Sequence, residues 1–355
     1  MQQEKSHETI VLALSFLITL GVAGGLLWMF RGSFNFNKPA DQTANAPAAP
    51  NPPVSLAPPP ASTAAPSPPT LPVGTFNYGG STTWAPIRAL VDPEIARDYP
   101  QFRLRYLDPL DGSTPGSGTG IRMVIDRQLS FAQSSRSVKD EEQARAQARG
   151  FRLREVDVAI DGIVVAVNPN LAVEGITVEE LRDIYLGKIR NWRQVGGPDL
   201  PITPYSRRPQ DGGTVEFFQE YVLGKQNFGS NVEFVYSTTP ALRKVSDNPG
   251  GIYYATAPEV VPQCSIKTLP LGRKKGNYVK PYAEPLVPPS RCPQERNSVN
   301  FAAFQSGDYP ITRKLFVIMR DENSPDRQAA DFYAEWLLTP KGQDLIAKAG
   351  YVPLR

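Results

Sequence analysis

The stretch ITVEELRDIYLGKIRNWRQVGG, from Ile176 to Gly197, combines the start of a helix with a compact turn. Thr177 and Glu180 have the spacing of a capping box, in which each side chain bonds to the backbone of the other residue. Gly187 is placed to end the helix. Apolar residues recur at helical spacing, at Val178, Leu181, Ile184 and Tyr185. The pattern predicts a short amphipathic helix that packs on a core.

Around this helix, from Gly74 onward, short β-like runs alternate with helical patterns. The runs are TFNYGG, FRLRY, LSFAQSS, VDVAIDGIVVAVN, PITPYSR, VEFVYS, GIYYAT and LFVIMR. Further helices are predicted after Ser137, from Thr214 onward and after Pro325. The alternation predicts an α/β fold with largely parallel sheets.

The composition bounds the class of protein. The 355 residues are 41% hydrophobic, which is enough for two ordinary domains with their own cores. Lys and Arg together number 38 against 35 for Asp and Glu, and the net charge of +3 gives no basis for nucleic-acid binding. Any anion site must therefore be local.

The N-terminal part predicts a membrane anchor and a spacer. After a short tail of residues 1–8, residues 9–30 carry no charge and are long enough to cross a bilayer as a helix. A cleaved signal peptide is the alternative, although the apolar run is longer than the usual core of one. No cysteine follows the run, which excludes a lipoprotein anchor. Residues 31–73 are expected to be a disordered linker, because 12 prolines lie between Pro39 and Pro72 and favour extended segments.

The soluble part offers few groups for catalysis. The only histidine, His7, precedes the apolar run, so neither a Ser/His/Asp triad nor a histidine-based metal site can form there. Carboxylates such as Asp157, Asp161 and Asp183 could act as bases, but no spacing pairs them. We expect neither an enzyme nor a bound metal or cofactor.

The two cysteines, Cys264 and Cys292, both lie in the C-terminal part. An even count outside the membrane favours one disulfide in an oxidising compartment. Two buried thiols are the alternative. The bulk of the protein is therefore placed outside the cytoplasm.

Four strand-to-helix junctions are rich in glycine and hydroxyl groups: FNYGGSTTW, STPGSGTGI, LSFAQSSRS and RRPQDGGT. Helix starts carry unpaired N–H groups that attract anions, and glycine lets a ligand approach the backbone. The four loops together predict a seat for a small oxyanion. Each loop alone could be a plain turn. In the fourth loop, Arg207 and Arg208 would then be solvated. GSGTGI lacks the third glycine of a dinucleotide fingerprint, and no GxxxxGK[ST] loop exists.

The sequence resembles the phosphate-binding proteins of ABC-type uptake systems, which belong to the two-lobed periplasmic binding proteins. The resemblance is carried by ITVEELRDIYLGKIRNWRQVGG and supported by GGSTTWAP, GSGTGI, SFAQSS, SRRPQDGGT, GGIYYATAPEV and TPKGQDLIAKAGYVPL, in the family's order. It implies two α/β lobes that close on a tetrahedral anion held by amides, hydroxyls and one arginine. The residues that match the family's ligands are Ser81, Thr82, Ser117, Ser134, Ser135, Arg208, Gly213 and Thr214.

Two positions depart from the family pattern. The family's aspartate in the third loop is Ser135 here, and its serine before Gly-Thr in the fourth loop is Gly212. A carboxylate near the anion favours a protonated phosphate over sulfate, so its loss weakens the physical basis for that preference. Arg136 could add charge to the site or point into solvent.

These inferences predict a type II periplasmic-binding-protein fold, with lobe I formed by residues 74–161 and 263–355 and lobe II by residues 162–262. The expected function is extracytoplasmic capture of a small oxyanion, phosphate above all, for the permease subunits of an ABC transporter. A membrane-tethered anion sensor or envelope-interaction protein with the same fold is the alternative. The expected location is the cell membrane, with the soluble domain in the periplasm or outside the cell.

Overall fold

The computed structural model describes residues 71–209 and 212–354. The strands are β1 (Gly74–Gly80), β2 (Phe102–Tyr106), β3 (Phe131–Ser134), β4 (Leu153–Val167), β5 (Ile176–Thr177), β6 (Thr203–Ser206), β7 (Glu233–Phe234), β8 (Gly251–Thr256), β9 (Lys267–Leu269), β10 (Leu271–Lys274), β11 (Asn277–Val279), β12 (Thr312–Arg320) and β13 (Val352–Pro353).

The α-helices are α1 (Ala85–Asp98), α2 (Ser117–Ile125), α3 (Asp140–Ala148), α4 (Val178–Tyr185), α5 (Gly213–Phe217), α6 (Thr238–Asp247), α7 (Ala257–Val260), α8 (Phe301–Gln305), α9 (Pro325–Leu337) and α10 (Pro340–Lys348). A π-helical turn, Phe218–Val222, continues α5, and 3₁₀ turns occupy Thr82–Trp84, Trp192–Val195 and Pro289–Arg291.

The predicted capping box forms at the start of α4. The Glu180 amide donates to Thr177 Oγ1 at 3.0 Å, and the Thr177 amide donates to Glu180 Oε2 at 2.8 Å. Leu181, Ile184 and Tyr185 are buried on the face that the spacing predicts. The helix ends before Gly187, whose φ of +77° fits the left-handed conformation of a helix stop. The sequence prediction for this helix is confirmed.

One sheet runs through both halves of the described chain, in the order β2-β1-β3-β12-β4-β8-β6-β7. Its outer pairs are parallel: β1 pairs with β2 and β3, and β6 pairs with β7 and β8. Its centre is antiparallel, because β12 returns from the C-terminal part to pair with β3 and β4. The expectation of a largely parallel sheet is therefore wrong at the centre, where a strand from far along the chain is inserted.

Strand β4 connects the two lobes. Its first part, Leu153–Gly162, pairs with β12, and its last part, Ile163–Val167, pairs with β8. Along β12, Leu315, Val317 and Met319 face a core formed with α1 and α9, whereas Ile318 faces the core under α2 and α3. This period-2 alternation is that of a strand buried on both faces. The first lobe is thus a sheet between two helical layers.

A separate and larger core lies beyond the crossing. It contains residues of β4, α4, β6, the π-helical turn and β8, and also residues between Ile266 and Ile311. The sequence predicts that residues 263–355 belong to lobe I, but the buried apolar side chains between Ile266 and Ile311 pack in the core of lobe II. Core packing therefore favours a return to lobe I near Thr312, where β12 begins.

Cys264 and Cys292 are bonded to each other, as the cysteine count predicts. The bond lies outside the main sheet and closes a loop of the second lobe's C-terminal segment. The alternative of two buried thiols is excluded.

The predicted anchor, residues 9–30, and the linker, residues 31–73, lie outside the described residues except for the last three linker positions. Among the residues that are described, none of the helices has the length and apolar character needed to cross a membrane.

Candidate binding site in the cleft

Three of the four predicted loops meet at the carboxyl ends of neighbouring strands. Strands β1 and β3 are parallel partners, with Gly80 opposite Gln133, so the residues that follow them, Ser81 and Ser135, emerge side by side. Ser117, the first residue of α2, comes to the same place. In open α/β sheets this edge, outside the carboxyl ends of the strands, is where ligands bind.

The hydroxyl groups of these residues form a buried cluster, which we call the serine cluster (Ser81, Ser117 and Ser135). Ser81 Oγ donates to Ser135 Oγ at 3.2 Å, and Ser117 Oγ lies 3.2 Å from the same oxygen. The Ser135 amide donates to Ser117 Oγ at 3.0 Å. All three residues have no exposed surface. Because a hydroxyl hydrogen rotates to suit its partner, the cluster can turn its donors toward an oxyanion.

The fourth loop approaches the serine cluster from the second lobe. A Cβ atom at Gly213 would lie 2.8 Å from Ser135 Oγ and 3.1 Å from Ser117 Oγ, which is too close for a side chain. Only glycine allows the backbone of this loop to reach the serines. The Gly213 side of the cleft therefore presents backbone rather than side chain to the cluster.

A buried ion pair contacts the fourth loop and helps to position it. Arg313, on β12, bonds Asp161 of β4 through Nε at 2.9 Å and through Nη2 at 2.8 Å. The same guanidinium donates to the Gly213 carbonyl at 3.2 Å, to Thr214 Oγ1 at 3.0 Å and to Thr83 Oγ1 at 3.1 Å. Arg313 thus connects the strand crossing with the first loop, through Thr83, and with the fourth loop, through Gly213 and Thr214.

Asp161 neutralises this cation. Burial raises the pKa of Asp161 to about 6, and the Arg313 guanidinium opposes the rise, so the carboxylate is ionised at neutral pH. The pair therefore adds little net charge behind the cleft. The Arg313 bonds to the Gly213 carbonyl and to Thr214 Oγ1 fix the position of the Gly213 loop instead.

The other residues that the resemblance implies lie around this centre. Thr82 is exposed, and its neighbour Thr83, at 8% exposure, makes the contact with Arg313. Ser134 is buried, but its hydroxyl donates to the Arg136 carbonyl at 2.6 Å within its own turn. The structure thus brings together Ser81, Ser117, Ser135, Gly213 and Thr214, and it leaves Ser134 and Thr82 beside them.

The two arginines of the fourth loop differ in placement. Arg208 is exposed. Arg207 is half-buried and lies over Gly212, where a Cβ atom would be 3.2 Å from its Nη1. Gly212 has a φ of +146°, a conformation that only glycine adopts readily. The structure therefore places Arg207, rather than Arg208, beside the glycine pair.

Arg136 takes neither of the two positions considered for it. It is buried and forms a bidentate pair with Glu142 of α3, at 2.8 and 2.9 Å, and its Nε lies 3.3 Å from Glu216 of α5. Lys139 also bonds Glu216, at 2.7 Å. Burial alone would raise the pKa of Glu216, but Lys139 and Arg136 outweigh it and lower that pKa. These contacts join the first lobe to the second at the outer side of the cleft.

Sequence reasoning missed Arg313 and gave Thr83 no ligand role, whereas it treated Arg207 as an arginine of the fourth loop that could exchange roles with Arg208. Arg313 had a detectable signal, because Asp161 interrupts an apolar strand and a buried carboxylate needs a partner. No local sequence pattern indicates which distant cation is the partner of Asp161. Within the described part of the chain, no group of three or more His, Cys, Asp or Glu residues could hold a metal ion.

The family model for the PBP superfamily domain matches residues 64–341, which is most of the chain. The chain belongs to the PBP superfamily. This membership confirms the two-lobed binding-protein fold that the sequence motifs indicate.

Named relatives of this superfamily member are phosphate-binding proteins. A phosphate-binding protein PstS of Staphylococcus epidermidis is 27% identical over 79% of this chain and 78% of its own. A PstS of Staphylococcus aureus is 26% identical over the same shares.

Solved structures of similar fold include a putative phosphate ABC transporter substrate-binding protein with bound phosphate from Clostridium perfringens. It is 22% identical, with a TM-score of 0.62, over 79% of this chain and 100% of that one. An ABC-type phosphate transport receptor from Vibrio cholerae is 21% identical, with a TM-score of 0.60, over 78% and 99%. These likenesses support the fold.

Proposed function

We propose that this protein is an extracytoplasmic solute-binding protein that captures phosphate and delivers it to an ABC-type transporter without chemical change. The observation that carries the proposal is the meeting of the buried serine cluster with the Gly213–Thr214 backbone of the other lobe. Relatives named as phosphate-binding proteins support the ligand and the transport role over the sensor alternative. Residues 9–30 would anchor the soluble part to the membrane.

Binding in this site is built from hydroxyl and amide donors. The serine cluster offers three hydroxyl groups that now bond one another, and Gly213 and Thr214 offer backbone N–H groups. A tetrahedral oxyanion accepts several such bonds at once, and bonds to a charged acceptor are the stronger kind. The lobes would close to bury the anion and open to release it.

The ligand set proposed from the family motif is Ser81, Thr82, Ser117, Ser134, Ser135, Arg208, Gly213 and Thr214. The structure supports an unequal division among these residues. The serine cluster and Gly213 form the centre, whereas Ser134 uses its hydroxyl in its own turn and Arg208 is exposed.

Titration of the purified protein with inorganic phosphate tests the proposal. Ser117→Ala removes a donor to a charged ligand, which costs about 1.5–3 kcal/mol, so phosphate should bind roughly 10- to 100-fold more weakly. Ser134→Ala, a buried serine one residue from the cluster, should have a much smaller effect. Absence of phosphate binding to the unaltered protein, or equal losses in the two variants, would contradict this assignment.

A further inference from the structure

A cavity of about 330 Å³ opens beside the proposed phosphate site. Thr82 and Thr214, from the first and fourth loops, form one wall of it, next to Arg207. Other residues of the second lobe also line it, among them Thr239 at the start of α6 and Tyr253 on β8. The cavity therefore continues from the phosphate loops into a space between the lobes.

The volume exceeds what an inorganic oxyanion needs. It is on the order of ten times the ~30 Å³ that one water molecule occupies in the liquid. It falls at the low end of the range of about 300–1,000 Å³ that is typical of pockets for organic ligands. The extra space would accommodate a substituent of several heavy atoms attached to a phosphoryl group.

The lining indicates the chemistry of that substituent. Most of the lining residues carry a hydroxyl group, and the lining includes one cation, Arg207, and one carboxylate, Glu259. Thr256 Oγ1 donates to Glu259 Oε2 at 3.0 Å and orients the carboxylate. Burial raises the pKa of Tyr253 to about 12, with Glu259 raising it and Arg207 lowering it, so both charges act on one hydroxyl of the cavity.

A second anionic group would be poorly placed in this space. Arg207 lies over Gly212 of the fourth loop, where its charge would serve the phosphoryl group, so a carboxylate or second phosphate in the cavity would face Glu259. Like charges close together in a partly desolvated site repel. A hydroxyl group can bond to the threonines and tyrosines, and an ammonium group can bond to Glu259. The lining therefore selects for substituents that are polar and not anionic.

We propose that the cleft also binds phosphate monoesters with a small neutral or cationic substituent. The phosphoryl group would occupy the serine cluster and the Gly213–Thr214 loop, and the substituent would occupy the cavity beside Thr82, Arg207 and Glu259. This inference rests on the proposed phosphate site and adds a ligand class to it.

Calorimetric titration of the full chain with four ligands tests the inference. The ligands are inorganic phosphate, glycerol 3-phosphate, phosphoethanolamine and 3-phosphoglycerate. Glycerol 3-phosphate and phosphoethanolamine should bind within tenfold of inorganic phosphate. 3-Phosphoglycerate is close in size to glycerol 3-phosphate but has a carboxylate in place of the terminal hydroxymethyl group, so it should bind at least tenfold more weakly than glycerol 3-phosphate.

Two variants test whether the cavity is responsible for ester binding and for the discrimination against 3-phosphoglycerate. Thr239→Trp adds bulk at an exposed position of the wall, so it should weaken both accepted esters at least tenfold and leave inorganic phosphate unchanged. Glu259→Gln keeps an acceptor for Thr256 and removes the charge, so it should narrow the gap between glycerol 3-phosphate and 3-phosphoglycerate. An unchanged gap in Glu259→Gln would overturn the assigned selectivity.

The titrations distinguish the two proposals. If inorganic phosphate binds and no ester does, the ester inference fails and the phosphate site stands. If none of the four ligands binds, the proposed function itself fails. Ester binding that Thr239→Trp does not weaken would place the substituent elsewhere and overturn the inference.

Discussion

Two sets of ion pairs lie where the lobes meet, and they differ in burial. The inner pair, Arg313 with Asp161, has side chains that are 2% and 0% exposed. The outer pairs, in which Lys139 and Arg136 contact Glu216, include side chains that are about 30% exposed, namely Lys139 and Glu216. The same chemical interaction therefore occurs in a buried and in a partly exposed environment.

The difference in burial determines what each set can do. A buried ion pair adds little net stability, but removing one partner is costly because the other charge stays buried. A partly exposed pair is screened by water and salt and contributes about 0–1 kcal/mol. The inner pair can thus hold a loop in one position, and the outer pairs can only bias the lobes toward closure.

The largest effect is expected at the inner pair. Arg313→Met leaves the Asp161 carboxylate buried without its cation, so the free energy of unfolding should fall by about 3–5 kcal/mol. Phosphate binding should also weaken, because Thr83, Thr214 and the Gly213 carbonyl lose their shared donor. Chemical denaturation and phosphate titration measure the two effects.

The neighbouring residue provides a matched control. Lys314 bonds Asp157 at 2.7 Å between the same two strands, but these side chains are 55% and 40% exposed. Lys314→Met should change stability by less than about 1 kcal/mol. The double variant Arg313→Met with Asp161→Leu removes both charges, so stability should return while phosphate binding stays weak. Recovery of binding together with stability would show that Arg313 has no positioning role.

The inner pair also marks where sequence reasoning reached its limit. The capping box of α4 and the serines after β1 and β3 could be predicted because each depends on neighbours a few residues apart or on adjacent parallel strands. Arg313 lies 152 residues from Asp161 along the chain. Its role depends on β12 returning to the centre of the sheet, and no local pattern encodes that pairing.

The assignment of residues to the two lobes is also only partly predictable from the sequence. The crossing of β4 follows from one long apolar run, which the sequence displays as VDVAIDGIVVAVN. The packing of residues between Ile266 and Ile311 on the second core does not follow, since short strands there pair with distant partners such as β4 and β5. Tertiary packing decides such boundaries, and composition changes little across them.

An intermediate effect is expected from the two arginines near the cavity. The family motif assigns the anion contact to Arg208, whereas the structure places Arg207 over Gly212 and leaves Arg208 exposed. Removing one partner of a desolvated charge pair commonly costs ~2–5 kcal/mol. Arg207→Gln should therefore weaken phosphate binding roughly 30-fold or more, and Arg208→Gln less than about threefold.

Calorimetric titration of both variants with phosphate decides between the two arginines. The substitutions are chemically identical and adjacent, so each variant controls for the other. A larger loss in Arg208→Gln would restore the assignment from the motif. Equal and small losses would mean that neither arginine contacts the anion and that the loop contributes backbone alone.

The smallest effect is expected at the outer pairs. Lys139→Met removes the 2.7 Å contact with Glu216, which joins the lobes and so forms only when they approach each other. Because the pair is partly exposed, phosphate affinity should fall only two- to fivefold at low salt. The loss should vanish near 1 M salt, where the screening length is about 3 Å.

Lys139→Met removes a contact between the lobes and also a positive surface charge that attracts an anion. A substitution at Lys225 distinguishes these two causes of weaker binding. Lys225 lies 4.0 Å from Glu220 within the second lobe, and its side chain is 79% exposed. Lys139, Glu216 and Lys225 line one groove, so Lys225→Met removes the same charge from that groove without removing a contact between the lobes. If the outer pairs bias closure, phosphate affinity should fall in Lys139→Met and not in Lys225→Met. Equal losses would mean that these lysines act only through long-range attraction and that the outer pairs do not bias the lobes toward closure.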